Sequence, residues 1–281
     1  MRGKVRRIGC MLLALAVWIA GLHIPAMDVK ASEDDWEYME QRIGTYIAYG
    51  NGSFVSVADS GKVWVSQNGY TWKQKGRIAT ESMISGLDYC GDYFFVYGSM
   101  GEVYLSKDGS KWSKVSVGRG CISKIVYGDG KYVANIGYCS IISGSMWEYD
   151  SFGIYESDNG INWSFSESTI NNKMLDIAYG NGSFVAVGEQ GAIYTKRTGG
   201  FWEKQSVGQV ELKEIVYGNG IFIAIAGYQE FFTSVDGVNW KQGTGCYGEK
   251  IAYYNSHFYV WAPSQYYGSL YVKDCIGGTR I

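Results

Sequence analysis

Proline is nearly missing from this chain, with two residues in 281, against 39 glycines. Histidine is as scarce, and beyond residue 31 only His257 remains. That leaves little material for Ser-His nucleophiles or His-bound metals. No two cysteines have CxxC spacing, so no zinc or other metal site is expected. Beyond residue 31 no apolar run is long enough to span a bilayer, so no transmembrane span is expected in the mature chain. A basic excess is missing too: residues 32–281 hold 20 basic and 26 acidic groups, net −6. That balance argues against nucleic acid as a partner, because phosphate binding needs clustered positive charge. Aromatic residues, by contrast, are abundant, with 24 Tyr, 11 Phe and 10 Trp. At 46% hydrophobic the chain is too apolar to stay unfolded, and it fits neither collagen nor a coiled coil. Tyr, Trp and Gly with little Pro indicate many short strands joined by tight turns.

Residues 1–31 read as a leader. Arg2, Lys4, Arg6 and Arg7 precede an apolar run over residues 8–24, and Val29-Lys30-Ala31 offers a small-residue cleavage site. This is the order of a secretory signal peptide, and it predicts a secreted, extracellular domain over residues 32–281. An uncleaved N-terminal membrane anchor is the alternative.

Internal repetition sets the architecture. The segment LDIAYGNGSFVAVGEQGAIYTKRTGGFW over residues 175–202 has relatives at 47–72, 87–112 and 215–240. A longer copy spans residues 125–163, and an incomplete one begins at Ile251. A shared tyrosine marks every copy: Tyr49, Tyr89, Tyr127, Tyr179, Tyr217 and Tyr253. In four copies a tryptophan follows 23 residues later, at Trp72, Trp112, Trp202 and Trp240. The units fall at about 45–74, 85–116, 123–166, 175–206, 213–243 and 249–281. Each predicts four short strands: apolar or alternating segments separated by YGNG, by a Gly-x-x-Gly hairpin and by an Asp/Asn-Gly turn. One such sheet cannot bury both faces alone, so neighbours must stack on it. The prediction is an all-β chain folded as a β-propeller of six four-stranded blades, with seven blades as the alternative. The last copy lacks a tryptophan strand, and residues 36–40, beginning Trp36-Glu37-Tyr38-Met39, are expected to supply it and close the ring.

The third turn recurs as SQNGYTW, SKDGSKW, SDNGINW and SVDGVNW. Ser66, Ser106, Ser157 and Ser234 are expected to bond local backbone, and Asn68, Asp108, Asn159 and Asp236 to favour the turn through their short side chains. Trp72, Trp112, Trp163, Trp202 and Trp240 are expected to pack between strands as structural anchors. In the fourth copy, TKRTGGFW, the acidic residue is lost while Gly199 and Trp202 stay. These segments look like Asp-box turns, and with the preceding Gly-x-x-Gly they resemble BNR/Asp-box repeat propellers, the sialidase-like superfamily. Within it they are similar to the photosystem II assembly-factor-like group and its bacterial secreted relatives. Two features depart from that pattern: the turn lacks the extra residue between Asp and Gly of standard boxes, and the photosynthetic members have seven blades.

The resemblance raises the question of catalysis, since such propellers include sialidases and xyloglucan hydrolases. The sialidase arginine triad finds no match among Arg42, Arg77, Arg119, Arg197 and Arg280, and Arg-Ile-Pro is missing. A carboxylate pair could still serve a glycoside hydrolase, with Asp59, Glu102, Glu189 and Glu230 as candidates on hairpin loops. The reading is an exported non-catalytic interaction scaffold without cofactor, with the hydrolase as the competing class. Departures from the minimum repeat mark where a ligand would bind. The third copy carries 13 extra residues within 138–152, and the sixth lengthens around 261–267. Tyr138, Trp147, Tyr149, Tyr228, Trp261, Tyr266 and Tyr267 thereby form one expected aromatic rim, suited to a glycan or protein partner at the cell surface. A disulfide between Cys121 and Cys139 is expected to pin the longest insert.

Overall fold

The computed structural model describes residues 43–99, 101–118, 120–137, 153–166, 170, 172–227, 230–245, 248–254, 256–262 and 271–274. The expected closing strand at 36–40 lies outside them. Among the described residues there is no α-helix, and the strands form six antiparallel sheets in strict chain order. The protein is a six-bladed β-propeller.

Blade I comprises β1 (Tyr46–Gly50), β2 (Ser53–Val57), β3 (Lys62–Ser66) and β4 (Lys73–Arg77). Blade II comprises β5 (Ile84–Cys90), β6 (Tyr93–Gly98), β7 (Glu102–Ser106) and β8 (Ser113–Ser116). Blade III comprises β9 (Cys121–Gly128), β10 (Lys131–Gly137), β11 (Gly153–Ser157) and β12 (Ser164–Phe165). Blade IV comprises β13 (Met174–Gly180), β14 (Ser183–Gly188), β15 (Ala192–Arg197) and β16 (Trp202–Ser206). Blade V comprises β17 (Glu214–Gly218), β18 (Ile221–Gly227), β19 (Glu230–Ser234) and β20 (Lys241–Thr244). Blade VI shows β21 (Lys250–Tyr254), β22 (His257–Ala262) and β23 (Tyr271–Asp274). The first strands pack on one another in order, β1 on β5, then β9, β13, β17 and β21, and so form the inner wall.

The first hairpin of each blade is a two-residue turn whose geometry the sequence dictates. In blade IV Gly180 pairs with Ser183 across Asn181 and Gly182, at φ 47° and 70°. Positive φ at both central residues gives the turn twist that matches flanking strands, and Asn-Gly is the pair that tolerates it.

The core lies between blades. Five apolar clusters occupy the five successive junctions from I–II to V–VI. At I–II, Val55 and Val57 meet Leu87, Phe94 and Val96, all buried. The aromatic repeat supplies a second element at four of these five junctions. The residue after the shared tyrosine is Gly50, Gly128, Gly180 or Gly218 in blades I, III, IV and V. A Cβ at any of these positions would enter the ring of the next blade's tyrosine: Tyr89, Tyr179, Tyr217 or Tyr253 respectively. Each glycine is therefore a socket for a ring, a role beyond ending a strand. In blade II the position is Cys90, and Tyr127 of the next blade is 41% exposed.

The third turn is a closed hydrogen-bond unit. In blade I, Ser66 Oγ accepts the amides of Asn68 (3.3 Å) and Gly69 (2.9 Å), and donates to Asn68 Oδ1 at 3.1 Å. Asn68 Oδ1 also accepts the amides of Tyr70 and Thr71, at 3.0 and 2.9 Å. Trp72 Nε1 then donates to Gly69 O at 2.9 Å. The same set recurs around Asp108 and Trp112, Asn159 and Trp163, and Asp236 and Trp240. The turn glycine also packs on the preceding blade: Gly109 against Val55, Gly160 against Phe95, Gly237 against Val185.

In blade IV Trp202 still packs on the III–IV core, but the turn that holds the other tryptophans is missing. Lys196 and Thr198 replace the Ser and Asn/Asp, so no turn acceptor is present, and Gly199 has open space around it. Trp202 Nε1 turns to blade III instead, donating to Glu156 Oε1 (3.2 Å) and Ser166 Oγ (3.1 Å). Lys196 Nζ meets both oxygens of Glu156 at 2.7 and 2.8 Å.

Candidate functional site

Three residues before the shared tyrosine, the inner strands carry Tyr46, Gly86, Lys124, Asp176, Glu214 and Lys250 in blades I to VI. Within strands otherwise built from Ile, Val and Ala, this position is mostly polar or charged. Its register places it at one end of the inner wall. Tyr46 pairs with Val57, Asp176 with Val187, Glu214 with Ile225 and Lys250 with Trp261, all beside the exit of each blade's second strand. Register shifts beside Gly86, Asn135 and Asp176 mark the same end in blades II, III and IV, as bulges re-aim side chains.

Side chains at this end, joined in blade II by Asp88, bridge the five junctions from I–II to V–VI among the described residues. Tyr46 OH donates to Ile84 O of blade II at 3.1 Å. Asp88 Oδ2, in blade II, accepts the Ile125 amide of blade III at 3.1 Å and the Tyr97 hydroxyl at 2.7 Å. Lys124 of blade III pairs with Asp176 of blade IV at 3.1 Å. Asp176 Oδ2 takes the Ile215 amide of blade V at 2.9 Å, and Glu214 Oε2 takes the Ile251 amide of blade VI at 2.8 Å. Glu214 also pairs with Lys250. A carboxylate receiving an amide from the adjacent strand makes a charge-assisted bond, stronger than a neutral one. Gly86 leaves room for this network, since a Cβ there would enter the Tyr97 ring.

Burial shapes the electrostatics. Asp88 and Asp176 are 7% and 5% exposed. Burial pushes the Asp88 carboxyl above its ordinary value against the pull of Lys124, and burial also raises Glu214. Burial presses the Lys124 ammonium toward its neutral form, but Asp176, Asp88 and Glu214 outweigh it and hold the charge firmly. Tyr97 is raised by burial and by Asp88. Asn135, fully buried, donates to Ser123 Oγ (2.8 Å) and Met174 O (3.0 Å), while its Oδ1 accepts no bond among the described residues.

The second hairpins of blades III, V and VI leave this same end, between β10 and β11, β18 and β19, and β22 and β23. Of the expected aromatic rim, Tyr138, Trp147, Tyr149, Tyr228, Tyr266 and Tyr267 lie outside the described residues. Trp261 stands in β22, its backbone paired with Lys250 and Val272. Cys121 is disulfide-bonded and Cys90 is a free thiol, while Cys139 lies outside the described residues.

The four carboxylates weighed for hydrolysis sit in different blades or turns. Glu102 opens β7 rather than lying on a loop, and is bound by Lys114 (2.6 Å), Ser82 (2.8 Å) and Thr80 (3.1 Å). Burial opposes its ionisation, but these donors bring its pKa to about 2. Glu189 pairs with Lys173 at 3.2 Å, and Glu230, also within a strand, accepts from Gln242 at 3.1 Å. Asp59 is exposed on the second turn of blade I. Arg77 ends β4.

No family model and no curated protein sequence matches this chain. Solved structures do. Virginiamycin B lyase from Staphylococcus aureus superposes with a TM-score of 0.62 at 10% identity, covering 76% of this chain and 75% of the other. YCF48 bound to a D1 peptide gives 0.57 at 15%, covering 76% and 72%. The computationally designed Ika8 protein gives 0.59 at 12%, covering 82% and 70%. At these identities the likeness is one of fold. No helix among the described residues is long and apolar enough to cross a membrane.

Proposed function

We propose that the chain, exported by residues 1–31, is a binding scaffold that holds a protein segment at the end of the propeller where the polar belt and the long second hairpins meet. The observation that carries this reading is their coincidence. Fixed charges of both signs, Lys124, Asp176, Glu214 and Lys250, stand at the end from which the repeat's longest departures leave. A rigid wall of alternating charge gives register to a partner, and aromatic loops give contact area. The peptide carried by YCF48, a propeller of similar fold, favours a protein partner over a glycan. The likeness of the third turns to Asp boxes supports reading the chain as a relative of the sialidase-like propellers. The hydrolase reading draws no support from the carboxylates, which are engaged in strand-to-strand bonds or scattered over separate blades.

The test is capture of cell-surface material by residues 32–281. Binding should vanish after protease treatment of that material and survive periodate oxidation. Trp147→Ala combined with Tyr266→Ala should weaken it at least tenfold. Periodate-sensitive binding, or release of sugars from the material, would transfer the function to glycan recognition or hydrolysis. An undiminished double variant would move the site elsewhere.

A further inference from the structure

Five Asn-Gly pairs occur in the chain: Asn51-Gly52, Asn68-Gly69, Asn159-Gly160, Asn181-Gly182 and Asn219-Gly220. An asparagine followed by glycine can lose its side-chain nitrogen without an enzyme, because glycine puts no side chain in the way of its own amide. The fold places the five in unequal settings.

Asn68 and Asn159 lie in third turns. There the amide of the following glycine is buried and bound by Ser66 Oγ or Ser157 Oγ, each at 2.9 Å. The Asn Oδ1 is held by the hydroxyl of the same serine and by two further amides. Neither the nucleophile nor the carbonyl it would attack is free. The other three stand exposed in first hairpins with one backbone shape, φ being 47° at Asn51, Asn181 and Asn219 alike. Their side chains differ. Asn51 Nδ2 donates to Lys107 O at 3.3 Å and Asn181 Nδ2 to Val235 O at 3.1 Å, each on the third turn of the next blade. The Asn219 side chain and the Gly220 amide have no hydrogen-bond partner among the described residues.

We infer that Asn219 is a self-modification site of the folded chain, converting to aspartate and isoaspartate through a cyclic imide. The Gly220 nitrogen attacks Asn219 Cγ and the N–C bond forms. The side-chain nitrogen leaves as ammonia, with the proton that Gly220 gives up, and water then opens the imide at either carbonyl. Opening at Cγ leaves aspartate, which this turn accepts: Asp129-Gly130 holds the same place in blade III at φ 49° and 73°. Opening at the backbone carbonyl leaves isoaspartate, whose main chain runs through Cγ and is longer by a carbon. A two-residue turn cannot absorb that carbon in register. Gly218, paired with Ile221 across this turn, is the socket of the Tyr253 ring, so the damage falls on the junction of blades V and VI.

Peptide mapping by mass spectrometry of residues 32–281, aged in mildly alkaline buffer, follows all five sites in one molecule. Asn219 should convert first, about fivefold faster than Asn51 or Asn181, the effect of one side-chain hydrogen bond. Asn68 and Asn159, held by several bonds, should lag it by at least about tenfold. In urea the five rates should converge. Ser66→Ala frees the Gly69 amide and should speed Asn68 about fivefold while the Asn219 rate stays put. If Asn219 speeds up as well, Ser157→Ala, read at Asn159, carries the result. Protein bearing isoaspartate at 219 should melt below protein bearing aspartate there. The inference is overturned if Asn68 or Asn159 keeps pace with Asn219, if Asn51 or Asn181 leads, or if Asn219 stays intact where the urea-unfolded chain reacts. Third-turn rates indifferent to loss of the serine, or products that melt alike, would overturn it too.

Discussion

Blades II and IV hold their tryptophans by different means. In blade II the Trp112 indole bonds to Gly109 of its own turn, and Asp108 closes that turn locally. In blade IV the turn has lost its acceptors, and Trp202 with Lys196 reaches into blade III, where Glu156 and Ser166 receive them. The first arrangement closes within one turn, the second across a junction. A local turn loses one blade's latch when broken, whereas the Glu156 cluster ties two blades and leaves several partners stranded. The tryptophan is thus the fixed requirement, and its hydrogen-bond acceptor is interchangeable.

Three measurements sharpen this contrast. Glu156→Ala should have the largest effect, about 3 kcal/mol in urea unfolding, because it strands the Lys196 charge and the Trp202 N–H at a site where Glu156 is only 13% exposed. Adding Lys196→Ala should recover part of that loss, and strict additivity would mean the pair is not a unit. Ser106→Ala should cost less, about 1 kcal/mol, the net worth of a local hydrogen bond. A Ser106→Ala loss equal to that of Glu156→Ala would end the distinction between local and cross-junction latches.

The smallest effect is in acid. Bonds from the Ser110 and Lys111 amides hold Asp108 below its usual range. At Asp236 burial works the other way, but the Asn239 and Val238 amides outweigh it. Both groups have depressed folded values, so their contribution is complete above the unfolded value of about 3.9 and fades as pH falls toward the folded values. The Asn turns of blades I and III have no such dependence. Asp108→Asn with Asp236→Asn should therefore flatten the stability loss below about pH 4 while leaving neutral stability within about 1 kcal/mol. An unchanged acid slope would show that these carboxylates are not what titrates.

Much of the frame was legible because local chemistry repeats. Asn-Gly pairs marked the first hairpins of blades I, IV and V and Asp-Gly that of blade III, and Ser-x-Asn/Asp-Gly-x-x-Trp marked the third turns in four blades. The departure at Trp202 had a visible signal in Lys196 and Thr198. Its new acceptor, Glu156, is 46 residues away, and nothing local points across that distance. The polar belt was half legible: a charged residue recurs three places before the tyrosine in IVY- and IAY-type strands. Which charge meets which backbone amide depends on how blades abut, a relation no single repeat contains. The loop residues expected to recognise a partner stay a matter for the capture experiment.

The glycine sockets have one more consequence. A ring always enters the preceding blade and never the following one, so the units join head to tail, each with a tongue on one edge and a slot on the other. A duplicate of blade I, III, IV or V would bring its own slot and could seat a newcomer. A duplicate of blade II or VI would bring none, because Cys90 and Tyr254 stand in the sequence where the slot should be. Growth of the array by copying is thus favoured from four of the blades over the other two.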